Sequence, residues 1–370
     1  MHFIRNITIC LLLSFITSCP QPTTPVEEKP TPTEEEEVVP LAECTYWPKS
    51  VNESECAMSD NKWHKLNFSE PIIGVANAGA DLFLATSSDI YRYSEGTPSK
   101  FEHPRPSGAI QAFAQPHQAL YDQYFVLISG TVYIMTDNPE WPWTQRNGDY
   151  PEGSIQNLWI ENLGAIPVIY TGDNKIASYF KPSTSTWLQS PGTLENVTVA
   201  GANPPLVGTT SGIYSVQYDE SGKTWIGWAS KSIGIEGKGI TDFVSAKYAA
   251  GPDTYTTRYL VGTTSGLFCS EDLDAGWTPV EGDLSSARIT SLARVIEGPG
   301  KFYAVADGKI YSSTDLGKTW TLLMDGVPNG ILFTKLFVRC HNALALAGLD
   351  CSNPIIATNN NGKNYLICHD

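Results

Sequence analysis

The chain has little of what most enzymes are recognised by. Its 370 residues include only six histidines and four methionines. It contains no H-E-x-x-H and no C-x-x-C, so the common zinc and redox signatures are missing. Only seven arginines follow Arg5: Arg92, Arg105, Arg146, Arg258, Arg288, Arg294 and Arg339. They do not cluster, and the net charge is −15. Binding nucleic acid needs grouped cations against phosphate, which excludes it as a partner. No G-x-S-x-G precedes a helix. Gly222-Lys223-Thr224 and Gly317-Lys318-Thr319 imitate the end of a phosphate-binding loop, but Gln217 and Ser312 stand where its first glycine belongs. No dozen residues show helical periodicity, and no cofactor is expected.

One long apolar run exists, Ile7 to Ile16, behind the positive start Met1-His-Phe-Ile-Arg5. About ten residues cannot span a bilayer but suit a secretory signal. Ile16-Thr17-Ser18-Cys19 follows and resembles a bacterial lipobox, in which the cysteine is acylated and becomes the mature N-terminus. Residues 20–43 are Pro, Thr and Glu, including Glu34-Glu35-Glu36-Glu37. With almost nothing to bury, such a segment is expected to stay an extended, self-repelling tether. The expected division is a signal over 1–18, a lipidated Cys19 with tether over 19–43, an N-terminal segment 44–66 that could close a ring, and a folded domain over 67–370.

Beyond Cys10 and Cys19 six cysteines remain: Cys44, Cys56, Cys269, Cys340, Cys351 and Cys368. An even number in an exported chain suggests disulfides. Cys44–Cys56 is favoured as a local loop, with Cys351 or Cys340 near Cys368. No histidine stands at ligand spacing from them, so no metal is expected.

What the chain has in abundance is repetition. Ser313-Thr314-Asp315-Leu316-Gly317-Lys318-Thr319-Trp320 fits S-x-D-x-G-x-T-W at every fixed position. Ser270, Asp272 and Trp277 keep three anchors; Glu220, Gly222, Thr224 and Trp225 keep the second half. Thr136, Asn138 and Trp143 are a fainter copy, and Thr358, Asn360, Gly362, Lys363, Asn364 and Tyr365 a softened one. The aromatics Trp63, Phe101, Trp143, Trp187, Trp225, Trp277, Trp320 and Tyr365 fall 38 to 52 residues apart, in seven steps. A second ladder lies out of phase: Leu84–Tyr91, Leu127–Tyr133, Val207–Tyr214, Val261–Phe268 and Ala304–Tyr311. Each is a β-rich run, a small polar turn and an aliphatic–aromatic pair, the pattern of a hairpin. A phrase with this period marks one β-unit used repeatedly. The expected fold is all-β, a seven-bladed propeller of four-stranded antiparallel blades, whose closure protects strand edges. In the sixth unit the expected strands are Thr290–Val295, Lys301–Ala306, Lys309–Thr314 and Thr319–Leu323. Either Trp63–Leu66 or Tyr365–Cys368 is expected to complete the last one.

The phrase resembles the Asp-box, or bacterial neuraminidase repeat, found in the propellers of sialidases, sortilin-like receptors and photosystem II assembly factors. The resemblance implies a structural job for Ser313, Asp315, Gly317, Thr319, Trp320, Ser270, Asp272, Trp277, Glu220, Gly222 and Trp225, on the face away from the usual active site. It does not settle activity. Sialidases also resemble one another in a three-arginine cluster and an F/Y-R-I-P phrase. Here His103-Pro104-Arg105-Pro106 lacks the flanking residues, so no catalytic residue is assigned.

A partner is expected on the face opposite the boxes. That face should collect Arg105, Arg146, Asp149, Lys231, Glu236, Lys238, Arg288 and Asp325. The Gly-rich crossing Ala229–Gly239, with two exposed lysines, is the first candidate for recognition, with a plain spacer as the equal alternative. Trp141 is a spare aromatic for stacking on a sugar or peptide. The reading is an envelope lipoprotein, facing the periplasm or the cell surface, with a non-enzymatic binding or assembly propeller for a protein partner. The alternative is a glycan-directed propeller.

Overall fold

Runs such as Asp81–Ala85 and Phe302–Ala306 are apolar on both faces and buried almost throughout. A strand of that kind must be covered on both sides, which an isolated sheet cannot provide. The computed structural model describes residues 62–368 except 79–80, 95–96, 116–122, 139, 161–166, 182–185, 191, 202–205, 220–223, 252–253, 296–299 and 339–353. Cys19, the tether, Cys44, Cys56, Cys340, Cys351, Glu220 and Gly222 lie outside the described residues.

Among the described residues there are seven four-stranded antiparallel sheets. Six are consecutive meanders, over 74–100, 110–145, 155–189, 197–230, 240–279 and 289–322. The last combines Lys335–Val338, Pro354–Thr358 and Asn364–Cys368 with His64–Lys65 as its outer strand. The first strand of every sheet contributes to, or leads out of, one central cavity. This is an all-β propeller of four-stranded antiparallel blades. In the sixth blade the strands are Ile289–Arg294, Phe302–Ala306, Lys309–Ser313 and Thr321–Leu322, close to the expected bounds.

The last sheet resolves the competition between its two candidate segments, because both take part. Tyr365 lies on the third strand, and Lys65 pairs with it on the fourth. Consequently the softened phrase Thr358–Tyr365 joins the second and third strands and is not a fourth-strand box. The likeness has a local cause. Asn359 Oδ1 accepts the main-chain N–H of Asn361 and of Lys363, each at 3.0 Å, much as an aspartate would. Tyr365 belongs to the second ladder, beside Tyr91, Tyr214 and Phe268.

A shared hydrogen bond fixes the register of the outer strands. The N–H of Phe101, Arg146, Ser190, Lys231, Val280, Leu323 and Leu66 donates to the carbonyl of Ile90, Val132, Ile176, Ile213, Leu267, Ile310 and Asn364 respectively. Three residues before each donor stand Pro98, Trp143, Trp187, Trp228, Trp277, Trp320 and Trp63. Besides Tyr365, two expected anchors are therefore displaced. Phe101 is three residues late, with Pro98 in its slot. In the fourth blade Trp228, not Trp225, takes the slot, because strands Gly212–Asp219 and Thr224–Ser230 extend the hairpin outward.

The tryptophans are wedges between blades. Four also donate their indole N–H to the end of the preceding blade. Trp63 Nε1 reaches Leu323 O at 2.9 Å, Trp187 Nε1 Arg146 O at 2.8 Å, Trp277 Nε1 Lys231 O at 2.6 Å and Trp143 Nε1 His103 Nδ1 at 2.9 Å. Trp320 instead bonds Gly317 O in its own turn.

The complete phrase closes the turn between the third and fourth strands of the sixth blade. Asp315 accepts the N–H of Lys318 at 3.0 Å, the N–H of Thr319 at 2.9 Å and the Thr319 hydroxyl at 2.6 Å. Ser313 Oγ donates to Asp315 at 2.8 Å and accepts the N–H of Gly317. Leu316 and Gly317 both take positive φ, which glycine tolerates best. Partial burial pulls the Asp315 carboxyl upward, but the hydrogen bonds from Thr319, Ser313 and Lys318 outweigh it and hold it below its ordinary value. A depressed carboxyl contributes stability above its unfolded pKa, and that stability is lost as pH falls through the folded one. Asp315→Ala should therefore cost roughly 1–2 kcal/mol at neutral pH. The difference from the parent should shrink below the carboxylate range, as urea denaturation at two pH values would show.

Cys269 is a buried free thiol, 3.4 Å from Thr278 Oγ1. The six cysteines therefore do not all pair. The favoured pairs fall on residues whose side chains are not described.

Candidate functional site

The blades surround an axial cavity of about 240 Å3. Phe113, Trp159, Phe243 and Phe337 give it aromatic walls, and Asp242, Arg294 and Lys335 supply its charge. Asp242 sits at the start of the innermost strand of the fifth blade. Its Oδ1 accepts the N–H of Phe243 and its Oδ2 that of Leu292 on the sixth blade, both at 2.9 Å. The carboxylate thus rivets two innermost strands together. Burial pushes its pKa up, while the Lys335 ammonium and the two N–H groups oppose the shift. A raised carboxyl makes the fold less stable as pH rises from the ordinary carboxylate range through the folded pKa. Arg294 is 7% exposed and donates to the carbonyls of Val295 and Ser245. Neither Asp242 nor Lys335 was singled out in the sequence. The available signal was a charged residue inside a short apolar innermost run.

Chain direction assigns the loops to two faces. Turns between second and third strands share a face with the crossings to the next blade. The first hairpins and the box turns share the other. Arg105, Arg146, Asp149, Lys231, Glu236, Lys238, Arg288 and Asp325 all lie in crossings, on one face. Trp141 does not join them. It lies between Thr131–Thr136 and Thr144–Gln145, in the box-face turn of the second blade, and is 59% exposed.

Most of the crossing-face cations serve the fold. Arg105 donates to the carbonyls of Pro106 at 3.1 Å and Gly108 at 3.0 Å, bonds Ser88 O, and pairs with Asp89. Arg146 donates to Gln145 O. Lys231 pairs with Asp274, and Lys238 donates to Ser265 Oγ while lying 5.2 Å over the Phe268 ring. Both lysines are only partly exposed, contrary to expectation. The loop that carries them is tied down through Trp277 N–H to Ile233 O and Gly237 N–H to Ser211 O. Ile235 is fully buried and Glu236 accepts the Gly234 N–H, so part of the loop is built into the joint between blades. Asp149, Glu236, Arg288 and Asp325 are exposed.

One element departs from the repeat. The innermost strands of the other blades have 4 to 6 residues. In the fifth blade Ile240–Gly251 has 12, and its partner Thr254–Thr263 has 10. The third strand pairs only with Tyr259–Thr263, so the rest projects from the box face as a two-stranded ribbon. Four to five rungs at ~3.3 Å each make a projection of about 15 Å. Arg258 braces its base, bonding Glu271 at 3.0 Å and Leu316 O of the next blade at 3.1 Å; Tyr248 also donates to Glu271. The other face presents Tyr255, 68% exposed, with the Lys247 ammonium 5.1 Å from its ring centre. The 52-residue step from Trp225 to Trp277 reads in the sequence as a longer first hairpin over Lys247 to Thr257, which the ribbon matches, although none of its residues was expected to bind a partner.

No family model matches the chain, and no curated protein matches it. Solved structures do. The extracellular domain of the putative one-component system BT4673 from B. thetaiotaomicron aligns with TM-score 0.57 at 11% identity, covering 82% of this chain and 40% of that one. The extracellular domain of the putative hybrid two-component system BT3049 from the same organism gives 0.55 at 10%, over 81% and 40%. YCF48 bound to D1 peptide gives 0.57 at 14%, over 85% and 99%. These similarities establish the propeller fold. This chain spans two fifths of the length of the two extracellular domains.

Proposed function

We propose that this protein is a lipid-anchored, seven-bladed Asp-box propeller that holds a protein partner in the bacterial envelope without chemical turnover. The observation that carries the reading is the braced ribbon of the fifth blade. Thr254–Thr257 lies beyond the end of the third strand, and a projecting strand edge can accept an extended polypeptide by strand addition. Tyr255 supplies an exposed aromatic anchor of the kind that dominates interface energetics. The fold neighbours support the reading in kind: one is YCF48 bound to D1 peptide, and two are extracellular domains of putative one-component and hybrid two-component systems. Asp149, Glu236, Arg288 and Asp325 would be a second contact area on the crossing face. Trp141 is the residue that favours a glycan instead, because a bare indole stacks on a sugar ring.

The test is site-specific photo-crosslinking in the native envelope, with the probe at Tyr255 or at Arg288 of the full chain. The expected result is a polypeptide adduct from Tyr255. Adducts from Arg288 alone would move the partner to the crossing face. Turnover of aryl glycosides by the purified domain, abolished by a carboxylate substitution, would end the scaffold reading. For the anchor, Cys19→Ala should release the protein from membranes, and continued retention on fractionation would count against lipidation.

A further inference from the structure

Of the four tryptophans stapled to a preceding blade, three bond a main-chain carbonyl, which accepts a proton donor at any pH. Trp143 is the exception, because its acceptor is a titratable ring nitrogen. His103 Nδ1 lies 2.9 Å from Trp143 Nε1, and His103 Nε2 lies 2.7 Å from Trp141 O. An indole nitrogen can only donate, so Nδ1 must be unprotonated and Nε2 must carry the hydrogen given to Trp141. One neutral tautomer is thereby selected. A second acceptor waits beside the ring: Pro104 O is 3.2 Å from Nδ1. An imidazolium would donate to Trp141 O and Pro104 O and would leave the Trp143 N–H facing another donor.

We propose that His103 is a proton-operated catch between the first and second blades. When the ring is neutral, Trp143 is stapled. When it is protonated, the Trp143 staple opens, while the ring keeps Trp141 O and turns its Nδ1 hydrogen to Pro104 O. The groups facing the ring permit this. From its own crossing come Phe101, with ring centres 5.7 Å apart, and the Pro104 carbonyl; Glu102 is exposed and Arg105 is turned to Asp89. From the second blade come Trp143, 5.9 Å away edge-on, and behind it Tyr133. Glu140 in that turn is exposed, with its main-chain N–H on Asn138. Among the described residues no carboxylate and no cation is hydrogen-bonded to the ring. His103 is partly exposed, so water can deliver the proton.

The experiment uses the folded domain with 15N-labelled tryptophan. The Trp143 indole resonance is followed by NMR from pH 8 to pH 5, beside the His103 ring signals. The expected result is one indole resonance that titrates with the same midpoint as His103, while those of Trp187 and Trp277 stay still. Its exchange with solvent, corrected for intrinsic pH dependence, should rise at least tenfold at the acid end. In His103→Gln, which keeps an acceptor but cannot titrate, the Trp143 signal should not move. A Trp143 resonance indifferent to His103 protonation, or one that shifts equally in His103→Gln, would overturn the proposal. The wild-type titration decides the matter even where the variant folds poorly.

Discussion

Trp277→Ala should cost the fold about 4 kcal/mol, and Trp320→Ala only about half of that. The order runs against the sequence, where Trp320 ends the one complete phrase and Trp277 a damaged one. Trp277 is 5% exposed and packs in the cluster of Val261, Phe268 and Ile240. Its N–H crosses to Lys231 O of the fourth blade, so truncation removes the wedge and strands an acceptor at the joint. Trp320 is partly exposed and bonds only its own turn. At roughly 2–4 °C per kcal/mol for a domain of this size, the melting temperatures should fall by about 10 °C and about 5 °C. Trp277→Phe should lie between parent and alanine variant, since it restores area but not the hydrogen bond. Equal losses at the two positions would show that the joint is held by area alone.

Trp63→Ala should be comparably severe, at about 3–5 kcal/mol, and its effect should be local in a telling way. The closing strand His64–Lys65 pairs over two residues only. So short a ladder is held chiefly by what flanks it. Trp63 is 2% exposed, faces Phe333 at 6.2 Å, donates its main-chain N–H to Asp325 O at 2.9 Å and donates its indole to Leu323 O. Asn364 adds a second tie, donating its amide to Phe68 O at 2.7 Å and Glu70 O at 3.0 Å. Losing the indole should let His64–Lys65 detach, bare the edge of Asn364–Cys368 and loosen the joint with the sixth blade. Amide hydrogen exchange should therefore accelerate in 364–367 and 321–325 well before it does in the third blade. Uniform acceleration through all blades would mean that the strand is not the latch.

Much of this architecture was legible in the chain because its signals are local. Gly, Asp and Thr at a turn, an aliphatic–aromatic pair after it and an indole before the next strand are each dictated by backbone sterics within ten residues. The misreadings share one cause. Asn359 in the Thr358–Tyr365 turn satisfies its N–H groups as Asp315 does, so local chemistry could not tell a second-strand turn from a third-strand turn. Trp225 follows the phrase while Trp228 occupies the joint, because strand length beyond the blade moved the motif and not the wedge. Lys231 and Lys238 looked free in the sequence, where the aspartate, serine and aromatic ring that engage them lie 27 to 43 residues away.

The sequence by itself determined the all-β character, the unit and its period, since each depends on interactions between near neighbours along the chain. Tertiary structure decided which indole crosses to which blade, that Asp242 rivets two inner strands, that Trp141 lies in a turn and not in a crossing, and that His64–Lys65 shares a sheet with Asn364–Cys368. Those facts join residues separated by a whole blade or by nearly the whole domain. Only closure of the ring brings such partners within the few ångströms over which a hydrogen bond acts.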